Sequence, residues 1–162
     1  MPKQSAGLLM YRRRSGAVEV FLVHPGGPFW AKKDLGAWTI PKGEYSDREQ
    51  ALAAAIREFT EETGFTVPPS QDQYLNLGTI RQAGGKLVSV WAVEGDCDPA
   101  ELVSNTFELE WPPRSGRMAE FPEVDRGAWF PVAEARERIL KSQELLLDLL
   151  EQRLNAAKPE SV

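Results

Sequence analysis

Gly43-Glu44-Tyr45-Ser46-Asp47-Arg48-Glu49, then Gln50 to Ile56, then Arg57-Glu58-Phe59-Thr60-Glu61-Glu62-Thr63-Gly64-Phe65 is the stretch from which the rest of the chain can be read. Glu58, Glu61 and Glu62 stand at positions i, i+3 and i+4, which a helix places on one face. Leu52, Ile56 and Phe59 fall opposite and form the apolar stripe expected of a helix packed on a core. Ser46 and Glu49 have capping-box spacing, with Ser46 capping the helix and Glu49 reaching back. Gly64 supplies the stop after Thr63. Like charges this close weaken a bare helix by a few tenths of a kcal/mol per pair, and a divalent cation reverses that sign. Taken alone, such a face is ordinarily just solvated.

Working outward, Ser5–Tyr11 and Val18–His24 are apolar runs either side of Arg12-Arg13-Arg14-Ser15-Gly16, which reads as a charged turn between hairpin strands. His24-Pro25-Gly26-Gly27-Pro28 opens a loop holding Phe29, Trp30, Lys32 and Lys33. His24, the only histidine, reads as a strand-end residue hydrogen-bonded locally rather than as a catalytic group. Trp38-Thr39-Ile40 is a short strand candidate, with Pro41-Lys42-Gly43 turning out of it. Tyr74–Arg81 and Leu87–Glu94 flank a Gly-Gly loop as a second hairpin. Phe107–Trp111 alternates like an exposed edge strand, Pro112–Pro122 reads as irregular, and Ala128-Trp129-Phe130 is a final short strand before Pro131. Leucines at spacings of three and four then predict a short helix, a break near Ser142 and a longer helix whose Leu145–Leu150 cluster packs on the core. Residues 1–154 are read as one domain and 155–162 as a frayed tail. Strands mixed with helices early and late predict an α/β fold, a mixed β-sheet sandwiched between α-helices.

With 162 residues, 42% hydrophobic and 27% charged, the chain has the composition of an ordinary globular domain. A formal net charge of -5 argues against broad binding to nucleic acid polymers or to an anionic membrane. One cysteine, Cys97, excludes an internal disulfide and a thiolate metal cluster. No run has the length needed to cross a bilayer and Met1–Ser5 begins no signal segment, so a cytoplasmic location is expected.

The full spacing is Gly43, five residues, Glu49, seven residues, then Arg57-Glu58-apolar-x-Glu61-Glu62-x-Gly64-apolar. Seven fixed identities and two apolar positions would coincide by chance on the order of 10⁻⁹ per start site. At every one of these positions the chain resembles the Nudix hydrolases. The resemblance covers 23 residues, and the order of elements around them is compatible with the Nudix fold. It implies a metal-dependent hydrolase of phosphoanhydride bonds using Mg²⁺ or Mn²⁺. Glu58, Glu61 and Glu62 would supply most metal contacts, helped by a backbone carbonyl near Lys42 or Gly43. Hard carboxylate oxygens suit such cations. Ala54, between the glutamates on a helical wheel, would leave room for ions and phosphate. Arg57 can pair with Glu61 at i+4 and hold it, or be no more than a surface ion pair. The wheel turns Glu49 away from the other three, which leaves it a possible cap.

Trp38-Thr39-Ile40-Pro41-Lys42-Gly43-Glu44 resembles the entry to this motif in Nudix enzymes acting on diadenosine polyphosphates. Glu123, six residues before Trp129-Phe130, is similar to a loop glutamate of those enzymes that binds metal or accepts a proton; otherwise it is an ordinary loop residue. Lys42 is a candidate phosphate ligand or a solvated turn lysine, and Arg81 is a weaker phosphate candidate. Gly78–Gly85 lacks the Pro or Tyr that marks some subgroups, which weighs against an ADP-ribose specialist. Phe29, Trp30 and Trp111 are candidates for base stacking or for packing. The resemblance thus points to a small nucleotide or dinucleotide substrate, preferentially a diadenosine polyphosphate. The alternatives are a nucleoside triphosphate pyrophosphohydrolase that removes damaged nucleotides, or a non-catalytic nucleotide-binding module.

Overall fold

The computed structural model describes residues 4–68, 71–82 and 84–156. Strand β1 (Gln4–Arg14) is central, and its alternation sets the layers. Ala6, Leu8 and Met10 point into one apolar cluster, and Leu9 and Tyr11 into another on the opposite face. Strand β2 (Ala17–Pro25) divides likewise, with Phe21 and Val23 on the first side and Val20 and Leu22 on the second. The first cluster is covered by helix α1 (Ala51–Thr63) through Ala54, Ala55 and Phe59. The second is covered by α2 (Val132–Arg138) and α3 (Leu145–Ala156), through Ala135, Leu146, Leu147, Leu150 and Leu154. A sheet with residues buried on both faces needs a helical layer on each, and this one has them.

The remaining strands are β3 (Lys42–Glu44), β4 (Tyr74–Arg81), β5 (Leu87–Glu94), β6 (Thr106–Glu110), β7 (Met118–Pro122) and β8 (Val124–Pro131). The main sheet runs β4-β5-β1-β2-β8, with β3 also on β1. It is mixed: β1 lies parallel to β5 and antiparallel to β2 and β3. β6 and β7 form a separate two-stranded ribbon.

Several local expectations give way. The three arginines after Tyr11 lie in β1, paired with Ala17–Glu19, so the turn is confined to Ser15-Gly16. Trp38 and Thr39 make only single bridges, to Ile139 and Val23, because the segment crosses from β2 to the end of α2. Lys42 and Gly43 are a strand rather than a turn, paired with Gly7 and Ala6 of β1. Helix α1 starts at Ala51 with no side-chain cap: the Ser46 hydroxyl accepts instead from the amide of Arg48, and Glu49 is committed to Arg57. Pro112–Pro122, read as irregular, contains β7. The break expected near Ser142 is present: α2 ends at Arg138, a short 3-10 turn (Lys141–Gln143) spans Ser142, and α3 begins at Leu145. Leu145 is exposed, while Leu146, Leu147 and Leu150 are buried. The expected fraying of 155–162 falls mostly outside the described residues, and α3 continues to Ala156.

Candidate active site

The site lies where β3 meets α1. β3 brings Gly43 so close to the helix that an added Cβ would stand 2.1 Å from the Glu58 carboxylate. Only glycine allows that approach. One residue earlier, the Lys42 amide donates to Glu62 Oε2 at 3.1 Å, which ties the far end of the helix to the same strand. Ala54, expected to leave open space, is instead fully buried in the core cluster beneath the helix. Its small side chain lets the helix settle on the sheet. Leu52 and Ile56 are only partly buried, because the buried stripe runs through Ala55, Phe59 and Thr63.

Arg57 organises the exposed end. Its Nε and Nη2 both donate to Glu49 at 2.9 Å, a bidentate pair. Its Nη1 donates to Glu58 at 2.8 Å and to Glu61 at 3.1 Å. Glu49 is therefore neither cap nor bystander: it anchors the guanidinium that aims two other carboxylates. A helical wheel missed this because Glu49 lies before the helix begins.

Glu123 arrives from far along the chain through a ladder of backbone bonds. The Asn105 amide donates to the Glu61 carbonyl at 3.0 Å, and the Glu123 amide to the Asn105 carbonyl at 2.7 Å. The result is a cavity of about 520 Å³ lined by Lys42, Gly43, Glu58, Glu61, Glu62 and Glu123. Lys86 also lines it, bonded to Glu44 at 3.0 Å. Lys86 went unnoticed in the sequence because only the parallel β1–β5 register, Gln4 opposite Leu87, carries it beside Ser5 and Glu44. A second chamber of about 330 Å³ shares Lys42, Glu62 and Glu123 and adds Trp30, Thr39 and Gln82. Arg81 is exposed at the end of β4 and lines neither space. His24 is buried, between Asp125 at 2.9 Å and the Lys33 carbonyl at 2.6 Å, and also lines neither.

Electrostatically the cavity is unfinished. Burial, then repulsion from Glu58 and Glu123, pushes the Glu62 carboxyl up to about 8 against the pull of Lys42. Burial also raises Glu58, opposed by Arg57 and reinforced by Glu61 and Glu123. The Lys42 ammonium is pushed down, again chiefly by burial. As they stand, no three His, Cys, Asp or Glu side chains among the described residues are grouped closely enough to hold a metal ion. Arg57 takes one oxygen each from Glu58 and Glu61, and the Lys42 amide takes one from Glu62. In kind the donors fit a hard divalent cation: carboxylate oxygens, an excess of negative charge, and a strand that lacks a Cβ where it faces Glu58.

A model of the NUDIX domain matches residues 1–150. A curated RNA pyrophosphohydrolase from Brucella anthropi is 29% identical over 155 residues, covering 86% of this chain and 77% of the relative. The NUDIX domain of Shewanella oneidensis NrtR, complexed with ADP ribose, superposes with a TM-score of 0.65 at 18% identity, covering 95% of this chain and 89% of that one. A C. elegans Ap4A hydrolase superposes with a TM-score of 0.63 at 22% identity, covering 94% and 98%. At these identities the structural likeness is one of fold. No helix among the described residues is long and apolar enough to cross a membrane.

Proposed function

This chain belongs to the NUDIX domain family and is a Nudix pyrophosphohydrolase acting on nucleotide-linked compounds; we propose that its preferred substrate is a dinucleoside polyphosphate of the diadenosine type. The observation that carries this reading is the cavity itself, where Glu58, Glu61, Glu62 and Glu123 face Lys42. The adjoining chamber, walled by Trp30 and sharing Lys42, Glu62 and Glu123, would take a base with the phosphates against the carboxylates, which supports this reading. The motif entry Trp38–Glu44 supports the dinucleotide class.

Glu58, Glu61 and Glu62, with the backbone at Gly43, would hold a divalent cation, Mg²⁺ or Mn²⁺. When bound, it supplies Lewis acidity toward phosphate oxygens and the attacking water. Arg57, anchored by Glu49, keeps Glu58 and Glu61 aimed. Glu123 takes the proton from the water that attacks phosphorus. The new P–O bond forms as the anhydride P–O bond breaks, and Lys42 neutralises charge on the departing phosphate.

A second reading is favoured by the Brucella relative: the phosphorylated 5′ end of an RNA. One panel tests both, with diadenosine tetraphosphate, nucleoside triphosphates and 5′-triphosphorylated RNA assayed with Mg²⁺ or Mn²⁺. The proposal expects the highest kcat/KM for the dinucleotide, released as a nucleotide and a polyphosphorylated partner. Preference for RNA, or nucleoside monophosphate and pyrophosphate from triphosphates alone, overturns it. Nucleotide binding without turnover would make the chain a binding module.

A further inference from the structure

The β6–β7 ribbon leaves the main body at the rim of the carboxylate cavity, since Thr106 and Glu123 both line that cavity. Its strands alternate. Phe107, Leu109 and Trp111 occupy one set of positions, and Glu108 and Glu110 the other. The loop after His24 lies flat along the ribbon's root. The Gly26 amide donates to the Glu123 carbonyl at 3.0 Å, and a Cβ on Gly26 would meet the Pro122 carbonyl oxygen at 1.9 Å. This contact sets Phe29 edge-on to Trp111, with ring centroids 5.5 Å apart. Phe29 is nonetheless 60% exposed, and Trp111 is only partly buried. Beyond Trp111 come Arg114 and Arg117, both exposed at the ribbon tip. Among the described residues neither guanidinium has a carboxylate partner, and nor does exposed Lys32. The ribbon also carries Glu108, Glu110 and Glu120, and Glu110 accepts from the Arg114 amide, so the two guanidiniums are the unpaired cations of a mixed-charge tip that follows Trp111 of the aromatic pair in sequence.

We propose that Phe29, Trp111, Arg114, Arg117 and Lys32 form an outer platform for the second nucleoside of a two-ended nucleotide. The aromatic pair stacks the base, and the arginines meet the phosphate next to it. The four steps from Thr106 to Glu110 carry the tip about 14 Å from the ribbon's root. A mononucleotide seated with its phosphates on the carboxylates and its base in the Trp30 chamber leaves the platform empty; a dinucleoside polyphosphate occupies both. The platform rests on the two-ended substrate class proposed above and locates its specificity.

The test compares wild type with Arg114→Glu/Arg117→Glu and, separately, Phe29→Ser, using diadenosine tetraphosphate and ATP with Mg²⁺. The KM for the dinucleotide should rise at least ten times more than that for ATP, with kcat for both within about twofold, the signature of lost uniform binding. Equal changes for the two substrates, or none, overturn the platform. If wild type turns over neither substrate, the functional reading fails, and quenching of tryptophan fluorescence by diadenosine tetraphosphate in EDTA still decides the platform. Quenching reduced in the arginine variant supports it; quenching identical to wild type overturns it.

Discussion

Two hollows of this molecule teach opposite lessons about charge. The one between β1 and β8, beside Arg12, Asp96 and Trp129, has a volume of about 680 Å³ and exceeds the carboxylate cavity at about 520 Å³. Yet the buried charge on its wall is satisfied. Arg12 donates to Glu19 and to Asp96 at 2.8 Å each, and lies 4.1 Å over the Trp129 ring. Trp129 in turn donates to the Cys97 carbonyl at 3.0 Å, and burial pushes the Cys97 thiol up to about 12, leaving no nucleophile at neutral pH. The smaller cavity is lined by five glutamates and two lysines, with Arg57 bonded to two of those glutamates, and two of the carboxyls are raised, chiefly by burial and then by like charge. Volume alone would rank the two wrongly; uncompensated like charge separates them.

The sharpest break of this contrast is removal of one charge. Glu61→Gln or Glu62→Gln should cut turnover on the order of 10²-fold or more, with the fold intact by circular dichroism. Full activity in both variants would place the chemistry elsewhere. Gly43→Ala comes next. Its new methyl, 2.1 Å from the Glu58 carboxylate, must displace a flexible side chain rather than backbone. Activity should therefore fall about 10-fold or more, while the urea midpoint moves little. A large stability loss with unchanged kcat would contradict this.

A third effect concerns pH. The Glu62 carboxyl stands near 8 in the fold against an ordinary value of 4.5, so the folded state holds its proton through the interval in which the unfolded chain loses it. Its contribution is complete below 4.5 and is lost as pH rises toward 8. Metal-free protein should therefore lose stability across that window, on the order of 4 kcal/mol. Glu62→Gln should flatten the slope, and Mg²⁺ should stabilise most at its alkaline end. Thermal melts in EDTA and in Mg²⁺ at pH 5 and 8 measure this. A Glu62→Gln variant that keeps the full slope would remove Glu62 as its source.

The same contrast shows what a linear sequence can carry. The order of apolar runs and helical stretches, the Gly-Gly turn before Lys86 and the Glu58-Glu61-Glu62 spacing are local patterns, and they made the layers, the second hairpin and the acidic helix face legible. The capping box failed because Arg57 offers Glu49 two charged donors, a stronger partner than a single backbone amide. Lys86 could not be placed without the parallel β1–β5 register, which joins residues more than eighty positions apart. The β6–β7 ribbon was half seen. Its first strand alternates openly, but its partner begins at Met118, just beyond a run of proline, serine, glycine and arginine that masks it. Arg81 was misplaced for the converse reason. A strand-end arginine looks available in sequence, but Arg81 is exposed and lines neither cavity, and it is its neighbour Gln82 that reaches the second one.

The smallest predicted effect probes the larger hollow. Arg12→Met keeps much of the side chain's length and apolar contact with Trp129 while removing the charge shared by Glu19 and Asp96. Those pairs are partly solvated, with Asp96 66% exposed, so screening leaves them modest value. The stacked guanidinium adds about 0.5–1 kcal/mol. The variant should thus unfold about 1 kcal/mol more easily and show a weaker salt dependence of stability than wild type. Its kcat/KM should match wild type on every substrate, because no bond joins Arg12 to the carboxylate cavity among the described residues. A fall in kcat/KM of tenfold or more, at temperatures where the variant is fully folded, would show that the charge-satisfied hollow takes part in catalysis and would dissolve the distinction between the two.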